Sequence, residues 1–324
     1  MTEIKNPLQA ELFPAESSEK TVQKFRSYLS SPFIAAALPQ KDVKKNVFKR
    51  KYNNIELNLT SDTKVPFGKN GRLLLSILTT HAVLGKSTSP DDQIVIKYNS
   101  LQQLLDELQL PKQRGKEIKE QLECFSGATF VFREKIVKNI QNVLFKDFMK
   151  DDEPLRGENV TATWNSSGVI PFFDGFQYVD LENSEQEKRT IGITIILSKS
   201  FRKLSQEHAV PIDYSVYKKI TSVVGKDLYA WFVYRNNSLK EGEPIHISRK
   251  ALVDQFLPVK EDSYESEERV NWNTIKEQIK NIKEKYYTDL KVSIDKNNDG
   301  ITLYKSKPAI NENDKRYMLV SSNL

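Results

Sequence analysis

Cysteine is nearly missing from this chain. Cys124 is the only one, so no internal disulfide can form, and a chain without disulfides suits a reducing, cytoplasmic home. Histidine is scarce too. His81, His208 and His246 lie far apart, and with one cysteine they supply no spaced ligand set for zinc. No metal and no cofactor are therefore expected. No apolar run approaches the ~18 residues of a membrane span, so no membrane partner is expected. The opening residues Met1 to Pro7 lack the apolar core of a secretory signal. No G-x-x-x-x-G-K-Ser/Thr loop occurs, which argues against ATP hydrolysis.

What is present is charge. The formal net charge is +6 and the sequence pI is about 9.0. A basic balance favours nucleic acid or another anionic surface as partner and says nothing about fold. The 324 residues fit two domains of ~100–200 residues each, and either half is long enough to bury a core.

Periodicity orders the chain. Residues 1–60 read as a partly disordered N-terminal arm, with an unstructured lead at 11–18 and a short helix at 21–29. Residues 41–51 are strongly basic with apolar residues interleaved; they read as a solvated strand or as an arm that touches phosphates. Residues 54–60 alternate as a strand does. A helix is expected over 69–84, with Leu73, Leu74, Ile77, Leu78 and His81 on one face. A β-branched strand at 93–98 follows. Ser100 then caps a helix over 101–108, Pro111 breaks it, and a further helix covers 112–125. Strand, helix, break and helix form a helix-turn-helix arrangement. Residues 127–132 and 191–197 read as strands. Residues 133–190 read as an extended sheet or wing broken by acidic loops at 151–153 and 182–187. Ser198 caps a short helix.

The order then repeats. Residues 210–213 mark a domain boundary, and helices are expected over 214–223 and 226–236. A strand at 244–247 precedes Ser248, which caps a helix over 249–256. A polar acidic loop covers 261–268 and a long helix 270–285. Residues 290–294 and 301–304 alternate around Asp295-Lys296-Asn297-Asn298-Asp299-Gly300, a β-hairpin with a turn rich in Asn, Asp and Gly. The tail from Pro308 reads as disordered. The fold class is therefore α+β, with two tandem winged-helix domains at 61–209 (with an inserted β segment, a candidate for dimerisation) and 210–308, and a tail at 309–324.

Two helices carry the residue types that meet DNA. In a helix-turn-helix the second helix enters the major groove and its N-terminal residues reach base edges. Lys112, Gln113, Arg114, Lys116 and Lys119 crowd the N-terminal half of the 112–125 helix; lysine and arginine suit phosphates or guanine and glutamine suits adenine, although a solvated basic face has the same composition. Arg269, Asn271, Asn273, Lys276 and Lys280 mark the 270–285 helix, where asparagine also serves as an N-cap. Lys296 and Asn297 occupy the hairpin tip, a wing that reaches phosphate or a minor groove. The turn imitates half a calcium loop, but its twelfth position is Ser306 and strands flank it. Tyr286-Tyr287 invites a nuclease reading, yet no histidine pair stands near, and aromatic residues at a helix end usually pack. His81 and Cys124 read as buried.

Pro66-Phe67-Gly68 with Arg72-Leu73-Leu74-Leu75, then Leu197-Ser198 with Phe201, then Val210-Pro211-Ile212-Asp213, and Leu228-Tyr229-Ala230-Trp231 with Tyr234-Arg235 resemble the signatures of plasmid-encoded RepA-type replication initiators, in the same order. The resemblance covers about residues 60–308. It implies two winged-helix domains and binding to repeated origin sites (iterons) in double-stranded DNA. It also implies recruitment of host factors, a host replication initiator and the replicative helicase, without catalysis by the chain itself. In such initiators dimers repress the initiator's own promoter while monomers open the origin, so a homodimer in equilibrium with monomer is expected. The alternatives are a winged-helix transcriptional regulator and, more remotely, an origin-nicking nuclease.

Overall fold

The computed structural model describes residues 24–52, 55–85, 93–137, 161–165, 169–182, 188–258, 264–310 and 317–319. The lead at 11–18, the acidic loop at 151–153 and most of the second acidic loop lie outside them. Strand β1 (Lys24–Ser30), helix α1 (Ser31–Ala35) and strands β2 (Val47–Tyr52) and β3 (Ile55–Ser61) come first. Then follow α2 (Gly68–Leu84), β4 (Ile94–Ser100), α3 (Leu101–Glu107), α4 (Gly115–Ser126), β5 (Ala128–Val137), β6 (Thr161–Asn165), β7 (Ile170–Pro171), β8 (Phe173–Glu182) and β9 (Lys188–Leu197). Next come α5 (Lys199–Glu207), β10 (Ala209–Asp213), α6 (Tyr214–Lys219), α7 (Val223–Ser238), β11 (Ile245–Ser248), α8 (Arg249–Phe256), α9 (Tyr264–Asn281), β12 (Val292–Ile294), β13 (Gly300–Leu303) and β14 (Tyr317–Leu319). The chain is thus mixed α and β, as the sequence implies.

Local rules set most helix starts. The hydroxyls of Ser100, Ser198 and Ser248 accept from the backbone N–H of Gln103, Phe201 and Ala251 at 3.2, 3.0 and 3.2 Å. Each satisfies one of the donors that a helix start leaves without a partner. Ser222 does the same for α7, accepting from Gly225 N–H at 3.1 Å. That cap divides the helix expected over 214–223: α6 ends at Lys219, Ile220 is extended, and Val223 already belongs to α7.

One topology occurs twice. In the first half α2, β4, α3 and α4 lead to the hairpin β8–β9, and the sheet order is β4-β9-β8. In the second half α7, β11, α8 and α9 lead to the hairpin β12–β13, and the sheet order is β11-β13-β12. In both, the second hairpin strand lies antiparallel beside the strand that precedes the helix pair. The first half carries an insertion between α4 and β8. Its strands join β2 and β3 in a sheet of order β2-β3-β5-β6, with β7 also on β5.

The N-terminal region departs from the reading of an arm. Residues 24–30 are strand, not helix, and β1 is the centre of a sheet of order β10-β1-β14. Arg26 faces Asp213 and Lys24 faces Tyr317. Residues 210–213, expected as a boundary, and residues 317–319, expected as disordered tail, are therefore the flanking strands. The pairing satisfies backbone groups of β1 that a buried segment cannot leave open. Phe33 of α1 completes the core of the inserted sheet, with its ring centroid 5.0 Å from both Phe130 and Phe132. One apolar cluster runs from Leu29 to Leu303 through both halves.

Where α2 meets α7, the core holds charge. Arg72 is buried and donates through Nε and Nη2 to the two carboxylate oxygens of Asp227, at 2.6 and 2.8 Å. Its remaining donors reach the carbonyls of Leu38, Pro39 and Gly68. Lys226 is fully buried beside this pair, with Nζ donating to the Tyr217 carbonyl and lying 4.5 Å from the Tyr217 ring centre. Burial, reinforced by Arg72, pulls the Lys226 ammonium down to about 7. Between that value and the ordinary lysine range the unfolded chain holds a proton that the folded chain has shed, so stability rises with pH across that window. Lys226→Met is expected to melt above the parent near pH 7 and to lose much of that margin by about pH 9. A margin constant between those two pH values would refute the buried titration.

Candidate nucleic-acid interface

In the first half, α3 packs Leu104 and Leu105 inward and ends before Pro111. The helix expected over 112–125 begins differently. Residues Lys112 to Arg114 form a single 3-10 turn, and the α-helix starts only at Gly115. Ile118, Leu122 and Phe125 bury one face of α4, so the basic residues lie on the turn and the opposite face. They are not equivalent. Arg114 donates to both oxygens of Glu117 at 2.8 and 2.7 Å, and that bond leads in holding the Glu117 carboxyl below its usual range. Lys119 donates to both oxygens of Asp180 on β8 at 2.9 and 2.6 Å and stands 4.1 Å from the Tyr178 ring centre. It ties α4 to the hairpin. Lys112, Gln113 and Lys116 remain exposed.

In the second half, α8 buries Leu252, Val253 and Phe256, and α9 buries Trp272, Ile275 and Ile279 against it. Here the sequence placed the helix start too late, the reverse of the first half. α9 begins at Tyr264, inside the stretch read as an acidic loop, and ends at Asn281, followed by a π turn over Ile282–Tyr286. Glu268 explains part of this. Its carboxylate accepts from Nε of Arg249 at 2.6 Å and from the same guanidinium through its other oxygen, which holds the first turns of α9 to α8. Asn271 and Asn273 are therefore mid-helix residues, and the N-cap role expected of them is excluded by position.

The α9 candidates also separate. Asn271 is half-buried and donates to the Leu257 carbonyl at 3.0 Å; Lys276 donates to Asn298 Oδ1 at 3.0 Å. Both hold structure. Arg269, Asn273 and Lys280 are exposed on one helix face, Arg269 four residues before Asn273 and Lys280 seven after it. Lys280 has Glu284 at 4.0 Å, a weak pair in solvent. The sequence reading missed Val270. It is 62% exposed on the same face, and its signal was the three-residue spacing from Asn273.

The hairpin turn is braced from below. Trp272 Nε1 donates to Asn298 Oδ1 at 2.9 Å, and Asn298 takes a positive φ of 62°. Asp295 accepts from Thr302 at 3.0 Å and pairs with His246 at 2.8 Å. At Gly300 a Cβ would stand 2.2 Å from the Ile247 carbonyl, so β13 approaches β11 only with glycine there. Lys296 and Asn297 are left exposed at the tip. Tyr287, by contrast, is buried and donates to the Lys307 carbonyl at 2.6 Å, and burial raises its pKa. Its hydroxyl is occupied in structure. His81 is buried with Nε2 2.7 Å from Glu107, and Cys124 is buried.

Compared with protein-family models and with curated proteins, the chain matches none of either. The solved structures that are similar to it include two of RctB. One is of RctB domains 2-3 (RctB-155-483), 12% identical with a TM-score of 0.43, covering 84% of this chain and 94% of that one. The other is of a selenomethionine derivative of domain 2 and domain 3 of RctB, 12% identical with a TM-score of 0.47, covering 87% of this chain and 100% of that one. Among the described residues no helix is long and apolar enough to cross a membrane.

Proposed function

We propose that this chain is a DNA-binding replication initiator built on two winged-helix units, acting by binding repeated origin sequences in duplex DNA and not by catalysis. The observation that carries the reading is the repeated topology: twice, a helix pair is followed by a hairpin, and twice the second helix of the pair keeps polar side chains exposed beside it. In a helix-turn-helix that helix reads the major groove. Arg269, Asn273 and Lys280 of α9 form the main reading face, with Val270 placed to meet a thymine methyl. Lys112, Gln113 and Lys116 form the second, and Lys296 and Asn297 serve as a wing tip. Two linked units on one duplex gain affinity through effective concentration. The ordered motifs shared with RepA-type plasmid initiators support iterons as the target and a host initiator and helicase as partners, with a dimer that represses its own promoter.

Footprinting on the DNA flanking the coding region, across a salt series and without added metal, tests this. Regular protection over tandem repeats is the expected result. Protection of a single promoter palindrome would instead make the chain a transcriptional regulator. Asn273→Ala is expected to weaken binding to the repeats by roughly 1–3 kcal/mol and to leave random DNA nearly unaffected, while Lys280→Ala weakens both alike. Equal losses for Asn273→Ala on both DNAs would remove it from the base-reading face.

A further inference from the structure

The charge of this chain is not spread over its two reading helices. Residues 41–51 hold six cations (Lys41, Lys44, Lys45, Lys49, Arg50 and Lys51) against Asp42 alone. That segment is net +5 in a chain of net +6, so everything else together is net +1. If a basic balance marks the anionic partner's path, it marks this segment more than either helix.

The fold puts five of the six at the surface. Lys41, Lys44 and Lys45 are exposed on the approach to β2, and Lys49 and Lys51 project from its outer face. Arg50 points the other way and is buried, as the alternation of a strand requires. Across the sheet the outer face continues through Asn58 and Thr60 of β3, opposite Lys49 and Val47, to Thr129 and Arg133 of β5. That face also carries Val47 and Val131; its charged residues are Lys49, Lys51, Arg133 and one carboxylate, Glu56, which stands opposite Lys51 in register and 3.6 Å from Arg133. Lys44 pairs with Asp42 at 3.7 Å while remaining largely exposed. The other four surface lysines have no ion-pair partner within 4.0 Å among the described residues.

The start of the segment is also fixed in place between the two halves, and its remainder is strand β2, paired to β3. Lys64 bridges Asp42, at 3.4 Å, and Glu120 of α4, at 3.0 Å. On the other side Gln40 Nε2 donates to the carbonyl of Phe256, the last residue of α8, at 2.6 Å. Both ties sit at the N-terminal end of the segment, where Asp42 is linked to the helix pair of the first half and the adjoining Gln40 to that of the second. An edge strand with exposed lysines usually guards against strand pairing, but guarding does not require a lysine-rich approach loop or its anchoring to both helix pairs.

We infer that residues 41–51 are a phosphate-binding strap that grips the duplex backbone between the two reading units. It rests on the DNA-binding reading and adds a third, sequence-independent contact. Lys41, Lys45, Lys49 and Lys51 each neutralise a phosphate, so the strap sets a large part of the salt dependence of binding and little of its specificity.

The test is the fourfold variant Lys41→Gln, Lys45→Gln, Lys49→Gln, Lys51→Gln, titrated with a duplex carrying the flanking repeats and with a random duplex of equal length over a KCl series. The slope of log K against log salt is expected to become shallower by roughly 3 to 4, at ~0.9 per phosphate contact, and by the same amount on both duplexes. The corresponding fourfold Lys→Arg variant keeps the parent slope. If the Gln variant melts early, Lys45→Gln alone decides, with an expected slope change of ~0.9. A parent that prefers the repeats with a slope untouched by the Gln changes overturns the strap and leaves the initiator reading standing. A parent that binds both duplexes equally, with a slope that the Gln changes flatten, overturns the initiator reading and keeps the strap. No binding to either duplex overturns both.

Discussion

Asp227→Asn is expected to cost about 3–5 kcal/mol of folding stability, the range for breaking a buried ion pair by removing one partner. The side chains involved are 2% and 5% exposed, so water cannot replace what is lost. The effect is enlarged by the neighbours. Lys226 is buried next to Asp227, and Arg50, also buried, has its guanidinium brought down to about 10 by desolvation, with Asp227 acting in its favour and Arg72 against it. Asp227 is thus the counter-charge to a cluster of cations. Arg72→Ala is expected to be similarly costly for a second reason: it removes the guanidinium donors from the carbonyls of Leu38, Pro39 and Gly68, of which Pro39 keeps the Gly68 N–H. Urea unfolding of the full chain measures both. A loss below about 1 kcal/mol for either would mean that the site relaxes or hydrates, and that α2 and α7 are held together by apolar packing alone.

Trp272→Ala is expected to cost about 3–5 kcal/mol as a fully buried large side chain, and to weaken binding to the repeats as well. The indole fills the core under α9, while its N–H reaches the turn of the hairpin at Asn298. Lys276 donates to the same oxygen, so the turn stays tethered at one point when the indole is gone, but the helix and the hairpin lose their shared support. Trp272→Phe keeps a ring in the cavity and is expected to cost markedly less. Thermal melting and binding to the repeats, measured together on both variants, separate the two effects. Normal binding by a strongly destabilised Trp272→Ala would show that the wing does not depend on this brace.

How much of this was legible in the sequence differs from place to place. The caps at Ser100, Ser198 and Ser248 were readable because one side chain and one N–H three residues on decide them. The hairpin at 292–303 was readable because alternation and turn residues are adjacent. The start of α9 was not, because part of what holds that polar run as helix is a salt bridge to α8, which is not a local signal. The 3-10 turn at 112–114 was hidden for a related reason: its composition is that of a helix, and Pro111 just before it sets the entry. Strand β1 was misread because Lys24 to Ser30 suits either period, and its partners lie at 209–213, more than half the chain away, and at 317–319, almost the whole chain away.

The candidate site shows the same division. Residue type and spacing nominated twelve side chains, and they contain the right chemistry for DNA. Sequence could not tell which of them were already in use. Arg114, Lys119, Asn271 and Lys276 are held by Glu117, Asp180, the Leu257 carbonyl and Asn298, and three of those four partners lie on other elements or loops. By itself, then, the sequence determined the element order of the two helix pairs, most helix starts, the second hairpin's turn and the basic balance, because each follows from residues within a few positions of one another. Only the tertiary structure decided that residues 24–30 form the middle of a sheet, that Arg72 and Asp227 join the halves, and which lysines stay open to solvent. Those outcomes depend on pairings between distant segments, whose energies no local pattern encodes.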